Sequence, residues 1–166
     1  MARRKIVLIG AGSTTFTQRL VADLVLSDDA SAWELALVDI DTEVLEVVTL
    51  LVKKMVAAKN SGLTVTWATD RRDVLPHADF VITTIAVGGR RGWETDVHVP
   101  RKYDIFQPVG DTVMPGGISR ALRMIPPMVA IAEDIKQLCP DAYFFNYSNP
   151  MTAVCRAVRK ATNVPL

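Results

Sequence analysis

Gly10 and Gly12 close an apolar run in KIVLIGAGST, and a helix-like pattern starts directly after them. Strand, tight turn and helix start in succession make a seat for a diphosphate. Gly10 can adopt turn dihedrals closed to residues with a Cβ, and Gly12 removes a side chain where a pyrophosphate would approach. The backbone N–H groups of the following helical turn favour an anion. At the end of the next strand, ELALVD, Asp39 is placed to accept hydrogen bonds from the hydroxyls of an adenosine ribose. Thr15 stands where GxGxxG has its third glycine, so the reading rests on strand, helix and Asp39 together. Asp39 has Asp41 beside it and no arginine just after the strand. That favours NAD over NADP, whose 2′-phosphate would meet carboxylate repulsion.

Other polar groups are less organised. His77 and His98 lack a second ligand at metal spacing and read as surface or hydrogen-bonded structural residues. Cys139 and Cys155 form no CxxC pair, and no secretory segment or apolar stretch of about 18 residues occurs, which fits a reducing cytoplasm and no membrane span. The net charge is +1 and the basic residues are dispersed, apart from Arg3-Arg4-Lys5, Arg71-Arg72 and Arg90-Arg91, so nucleic acid is not an expected partner. With 166 residues, 49% hydrophobic and 22% charged, the chain suits one well-buried domain over residues 1–166.

The elements that must position these groups alternate. Lys5–Ile9 predicts a central strand buried on both faces, and Phe16, Leu20, Val21, Leu24 and Val25 recur at helical spacing until Ser27-Asp28-Asp29. Trp33–Val38 predicts the second strand and Thr42–Lys59 an amphipathic helix capped by Asp41 and ended at Asn60-Ser61-Gly62. Leu63–Ala68 predicts a third strand, Asp70–Asp73 a short helical turn cut at Pro76, and Phe80–Ile85 a fourth strand. Repeated βαβ units of this length imply α/β architecture: a doubly wound parallel sheet of the Rossmann type with right-handed crossovers.

After Val87 the pattern changes. Residues 88 to 117 hold six glycines and three prolines with no sustained periodicity, so a long irregular loop is expected. It follows the carboxyl end of a parallel strand, where open α/β sheets place ligands, which points to a functional loop. Ile118–Leu138 predicts helix, kinked or broken at Pro126-Pro127. Asp141–Tyr147 predicts a fifth strand, Thr152–Ala161 a last helix, and Asn163–Leu166 the start of a sixth strand. A doubly wound domain usually has six strands and shares its chemistry with a following domain, so the expectation is the front part of a longer protein.

Four segments together, GAGST at 10 to 14, VGG at 87 to 89, DTVMPGG at 111 to 117 and NYSNPM at 146 to 151, resemble family 4 of the glycoside hydrolases over essentially the whole chain. That family is related in fold to lactate and malate dehydrogenases and is an exception to two-carboxylate glycoside hydrolysis. The resemblance implies NAD and a divalent metal, usually manganese, as cofactors. It also implies a reaction in which hydride leaves C3 of the sugar for NAD and a tyrosine removes the acidified C2 proton. Elimination at C1, addition of water and hydride return follow.

The resemblance assigns Gly10, Gly12, Ser13 and Thr14 to the pyrophosphate turn, Asp39 to the ribose and Asn149 to substrate beside the nicotinamide. An asparagine amide offers both donor and acceptor to adjacent sugar hydroxyls; alternatively, Asn149 caps the following helix. Asp111 matches a catalytic-site acid that raises the basicity of the tyrosine; alternatively, it is a turn residue before Thr112. The Gly110-Asp111-Thr112 context resembles the branch acting on unphosphorylated α-glycosides or α-uronides. The family's metal-binding cysteine and histidine, its general acid and its tyrosine fall beyond residue 166. Hence the fragment alone is expected to be inactive; separately, the full-length enzyme is expected to form a homo-oligomer, as many doubly wound enzymes do. Cys155 is too early to be that ligand and reads as a small residue on the last helix. Trp93, Tyr103 and Phe106 suit either a sugar pocket or a loop packed on its own domain. Arg90 and Arg91 suit either a uronate carboxylate or a solvated turn.

Two other functions share part of this pattern. A 2-hydroxy acid dehydrogenase of the lactate/malate type would show the same glycines, Asp39 and an Asn-Pro dipeptide, but would need an arginine-bearing lid where this chain has DTVMPGG. A non-enzymatic NAD-sensing module would need the dinucleotide site alone.

Overall fold

β1 (Arg4–Ile9) is apolar from Ile6 onward and buried there, and it pairs in parallel with a strand on each side, β2 (Trp33–Val38) and β4 (Phe80–Thr83). β2 pairs in turn with β3 (Thr64–Ala68), and β5 (Tyr143–Asn146) completes a five-stranded sheet of order β3-β2-β1-β4-β5. This computed structural model describes residues 3–166; the side chain of Thr14, one of the predicted pyrophosphate residues, lies outside the described residues. The expected doubly wound α/β sheet is present, and the register aligns its carboxyl ends, with Ile9 opposite both Val38 and Thr83 and Val38 opposite Ala68.

The chain divides into two compact units, residues 1–85 with 137–145 and residues 86–136 with 146–166. In the first, α1 (Thr14–Leu26) and α2 (Thr42–Lys59) supply Val21, Val25, Leu45, Val48 and Val52 to a core shared with Ile6, Leu8, Leu35 and Leu37 of the strands. Burying such side chains stabilises the unit by about 1.5–3 kcal/mol each, before the entropy of ordering them is subtracted. Asp41 caps α2 as its position predicts, accepting from Val44 N at 3.1 Å, and Asn60 ends the helix in the left-handed conformation.

The second unit departs from expectation. The predicted irregular stretch contains a helix, α3 (Gly89–Arg101), followed by α4 (Met114–Leu138), which starts inside the DTVMPGG segment. α4 runs unbroken through Pro126-Pro127, although neither proline can donate to the preceding turn. α5 (Met151–Thr162) follows the cis Asn149-Pro150 bond. Asn163 is the left-handed cap of α5, and residues 163–166 form no strand, so the expected sixth strand does not begin here.

Candidate functional site

In the first unit, the turn after β1 is held from three directions. Gly10 N and Ala11 N donate to Val38 O at 2.8 and 2.9 Å, Thr84 Oγ1 donates to Gly10 O at 2.8 Å, and the buried Thr17 Oγ1 donates to Ala11 O at 2.7 Å. Gly10 has φ of 93°, and a Cβ there would lie 2.9 Å from Ile85 N, so both conformation and space demand glycine. Packing within the chain also demands glycine at Gly12: a Cβ would lie 2.7 Å from Asp39 Oδ2 and 2.7 Å from Val44 Cγ1. The missing side chain makes room for the Asp39 carboxylate, which accepts from Gly12 N at 2.8 Å and from Asp41 N at 3.1 Å.

Each carboxylate oxygen offers about two acceptor positions, so these bonds leave capacity on Asp39 for hydroxyl donors. Ser13 is the N-cap residue of α1 but makes no side-chain cap bond, and the first turn of α1 has no acidic residue. α2, by contrast, carries Asp41 and Glu43 at its start. The α1 terminus therefore lacks a built-in anion, and its dipole and N–H groups suit an external one. These residues fit a dinucleotide: a glycine turn, a helix start without its own counter-charge and an acid three residues before the next helix.

The second unit brings together the two residues that sequence assigns to substrate chemistry. Asn149 Nδ2 donates to Asp111 Oδ2 at 2.9 Å, while the other Asp111 oxygen accepts from Thr112 Oγ1 at 2.9 Å. Asp111 thus uses both carboxylate oxygens, one on Asn149 and one on Thr112. Asn149 does not cap α5, whose cap residue is Pro150. Its remaining amide hydrogen and its Oδ1 suit a neighbouring pair of hydroxyls. Arg120 Nε donates to Asn149 O at 3.1 Å, tying the Asn-Pro segment to α4.

Sequence reading missed the ion pair that holds α3 and α4 together. The Asp96 side chain is fully buried and accepts from Arg123 Nη1 and Nη2 at 2.8 and 2.6 Å, a bidentate pair. Burial pushes the Asp96 carboxyl up, but the Arg123 guanidinium and the Ser119 hydroxyl outweigh it and hold Asp96 below the ordinary carboxylate range. Gly92 makes room for this pair, since a Cβ there would meet Arg123 Nη2 at 3.2 Å. A signal was present in the arginine of SRALR at helical spacing from Ser119, but its partner lies 27 residues away.

The remaining candidates separate. Arg90 lies on α3, not in a turn, paired with Glu94 at 2.9 Å in a solvated i,i+4 bridge. Trp93 Nε1 donates to Val109 O at 2.6 Å, a contact within its own unit, whereas Tyr103 and Phe106 are exposed. Among the described residues no three His, Cys, Asp or Glu side chains group to hold a metal ion, and no helix is long and apolar enough to cross a membrane. Cys139 and Cys155 are both free thiols.

A model described as Family 4 glycosyl hydrolase matches residues 5–165. An α-galactosidase of Bacillus subtilis (strain 168) is 38% identical over 97% of this chain and 38% of its own length. An α-galacturonidase of Thermoanaerobacterium saccharolyticum (strain DSM 8691 / JW/SL-YS485) is 42% identical over 92% of this chain and 33% of its own length. A solved 6-phospho-α-glucosidase from gut microorganisms, in complex with NAD and Mn2+, is similar at a TM-score of 0.88 and 25% identity, over 99% of this chain and 38% of that one. This chain therefore spans roughly a third of the length of the relatives it matches.

Proposed function

Because the chain belongs to glycosyl hydrolase family 4, we propose that residues 1–166 form the NAD-binding domain of a glycosidase acting on unphosphorylated α-glycosides or α-uronides. The observation that carries this reading is the Asn149–Asp111 hydrogen bond, which joins the two residues that the family resemblance assigns to substrate and to tuning of the base.

In this reading, the Gly10–Gly12 turn and the start of α1, with Ser13 and Thr14, receive the pyrophosphate, and Asp39 accepts from the ribose hydroxyls. NAD supplies a hydride acceptor that later returns the hydride, so the net reaction is hydrolysis. The chain's own contribution is orientation. Asn149 presents donor and acceptor to adjacent sugar hydroxyls, and Asp111 holds the amide in the plane that does so. Asp111 carries its negative charge next to the substrate-binding amide, where it raises the basicity of a neighbouring proton acceptor. The similar α-galacturonidase supports the α-uronide branch, and the Asp111 context supports an unphosphorylated sugar. The whole enzyme would also use a divalent metal, for which the described residues supply no ligand set. Self-association of the full-length enzyme and a cytoplasmic location complete the reading.

The test is hydrolysis of paired aryl α-glycosides by the complete enzyme. Turnover of the unphosphorylated sugar or uronide above its 6-phosphate supports the proposal. Preference for the 6-phosphate contradicts it, and NADH accumulating with a 2-hydroxy acid would replace it with a dehydrogenase.

A further inference from the structure

α3 carries Pro100 four residues after Asp96, so the Asp96 carbonyl has no helical N–H to accept from. α4 begins at Met114, and the N–H of Gly116 in its first turn likewise has no partner within the helix. One buried side chain serves both groups. Gln107 is 3% exposed; its Nε2 donates to Asp96 O at 3.0 Å and its Oε1 accepts from Gly116 N at 3.0 Å. The two partners fix which end of the amide is which, since a carbonyl only accepts and an N–H only donates.

The backbone closes around this amide. Gly110, with φ of 67°, would place a Cβ 3.3 Å from Gln107 Nε2, and a Cβ on Gly116 would lie 2.6 Å from Gly110 O and 2.9 Å from Gln107 Nε2. Gly110 and Gly116 thus press on the Gln107 amide from two sides, and Asp111 is the next residue after Gly110. The loop that carries Asp111 is tied to α3 and to the first turn of α4 through this buried amide.

We propose that Gln107 is a positioning residue: by bridging Asp96 O and Gly116 N, it sets the loop so that Asp111 meets Asn149. This rests on the reading of Asp111 and Asn149 as the substrate-facing pair. The test below reads their geometry directly, so it stands or falls separately from any assay of sugar turnover.

The experiment compares the Asn149 side-chain amide resonance by NMR in the 166-residue chain and in its Asp111→Ala variant, which removes the acceptor of the Asn149 bond and shifts that resonance. Gln107→Met keeps the volume and removes both bonds; the expected result is an amide resonance moved toward the Asp111→Ala position, and a resonance left at the parent position overturns the proposal. Gln107→Glu keeps the acceptor for Gly116 and, while its buried carboxyl is neutral, the donor to Asp96; burial raises the pKa of such a group. The Asn149 resonance is expected at its parent position while the introduced carboxyl is neutral and to move toward the Asp111→Ala position as that carboxyl ionises. Absence of that movement overturns the proposal even where Gln107→Met does not fold. A merely structural role would lower stability and leave the Asn149 resonance of the folded variants at its parent position throughout.

Discussion

The side-chain amide of Asn149 donates to the Asp111 carboxylate at 2.9 Å, across 38 residues of chain that include the whole of α4. Each residue is oriented by a further contact: Arg120 holds the Asn149 backbone and Thr112 occupies the second Asp111 oxygen. Asp111→Ala and Asn149→Ala in the complete enzyme are each expected to lower kcat by about 10²-fold, the size of effect that misplacing a reacting group has. Because the two act as one unit, the double variant should cost little more than either single one. Steady-state kinetics of the three variants check this, and simple additivity would separate the residues.

Acid should release the pair between α3 and α4. Asp96 stands below its ordinary 3.8 in the folded protein, so its contribution is complete above that value and is lost as pH falls through the folded value. Asp96→Asn leaves Arg123 without its counter-charge and is expected to cost about 3–5 kcal/mol near neutrality while flattening the acid end of the stability profile. Urea unfolding of parent and variant across the acid range measures both; an unchanged acid limb would assign the sensitivity to other carboxylates.

Gly12→Ala is expected to destabilise the first unit by about 1–3 kcal/mol, since its Cβ would press on Asp39 and on Val44 of α2. The displaced Asp39 should also weaken NAD binding. Denaturant midpoints and a dinucleotide titration on the same sample check the two effects, and full stability with full affinity would show that the turn has slack.

Burial pushes the Cys139 thiol up to about 11, against an ordinary 9.0. With so little thiolate at neutral pH, Cys139 should resist iodoacetamide until the chain unfolds. Mass spectrometry of the labelled protein in buffer and in denaturant reads this; rapid native labelling at Cys139 would contradict it.

The first unit was largely legible because its signals are local. Gly10, Asp39, Asp41 and Asn60 each act within a few residues of where they stand, and the alternating apolar runs needed only their own length to declare strand or helix. The second unit was not, because its order comes from distant partners. α3 opens on Gly88 and Gly89 in left-handed conformations and contains Gly92 and Pro100, all unfavourable locally. What supports it is Arg123 on Asp96 and Gln107 filling the gap left by Pro100, contacts that periodicity does not carry. The helix is not broken at Pro126-Pro127 for a related reason: the prolines remove two donors, but Met124, Met128, Ile131 and Ile135 are buried on the same helix, and that packing favours continuity. Among site residues, Asp111 and Asn149 were singled out by a resemblance, but their hydrogen bond to each other spans 38 residues and carries no local signal; Thr17 and Thr84, which fasten the glycine turn, carry none beyond a hydroxyl in an apolar run.

The central claim is that the turn after β1, with Asp39 behind it, seats NAD. Calorimetric titration of the 166-residue chain with NAD and with NADP tests it most directly. Saturable NAD binding is predicted, with NADP weaker on the order of tenfold, about 1.4 kcal/mol, and with that gap narrowed in Asp39→Ala. No saturable NAD binding, or equal affinity for the two dinucleotides in the parent chain, would contradict it.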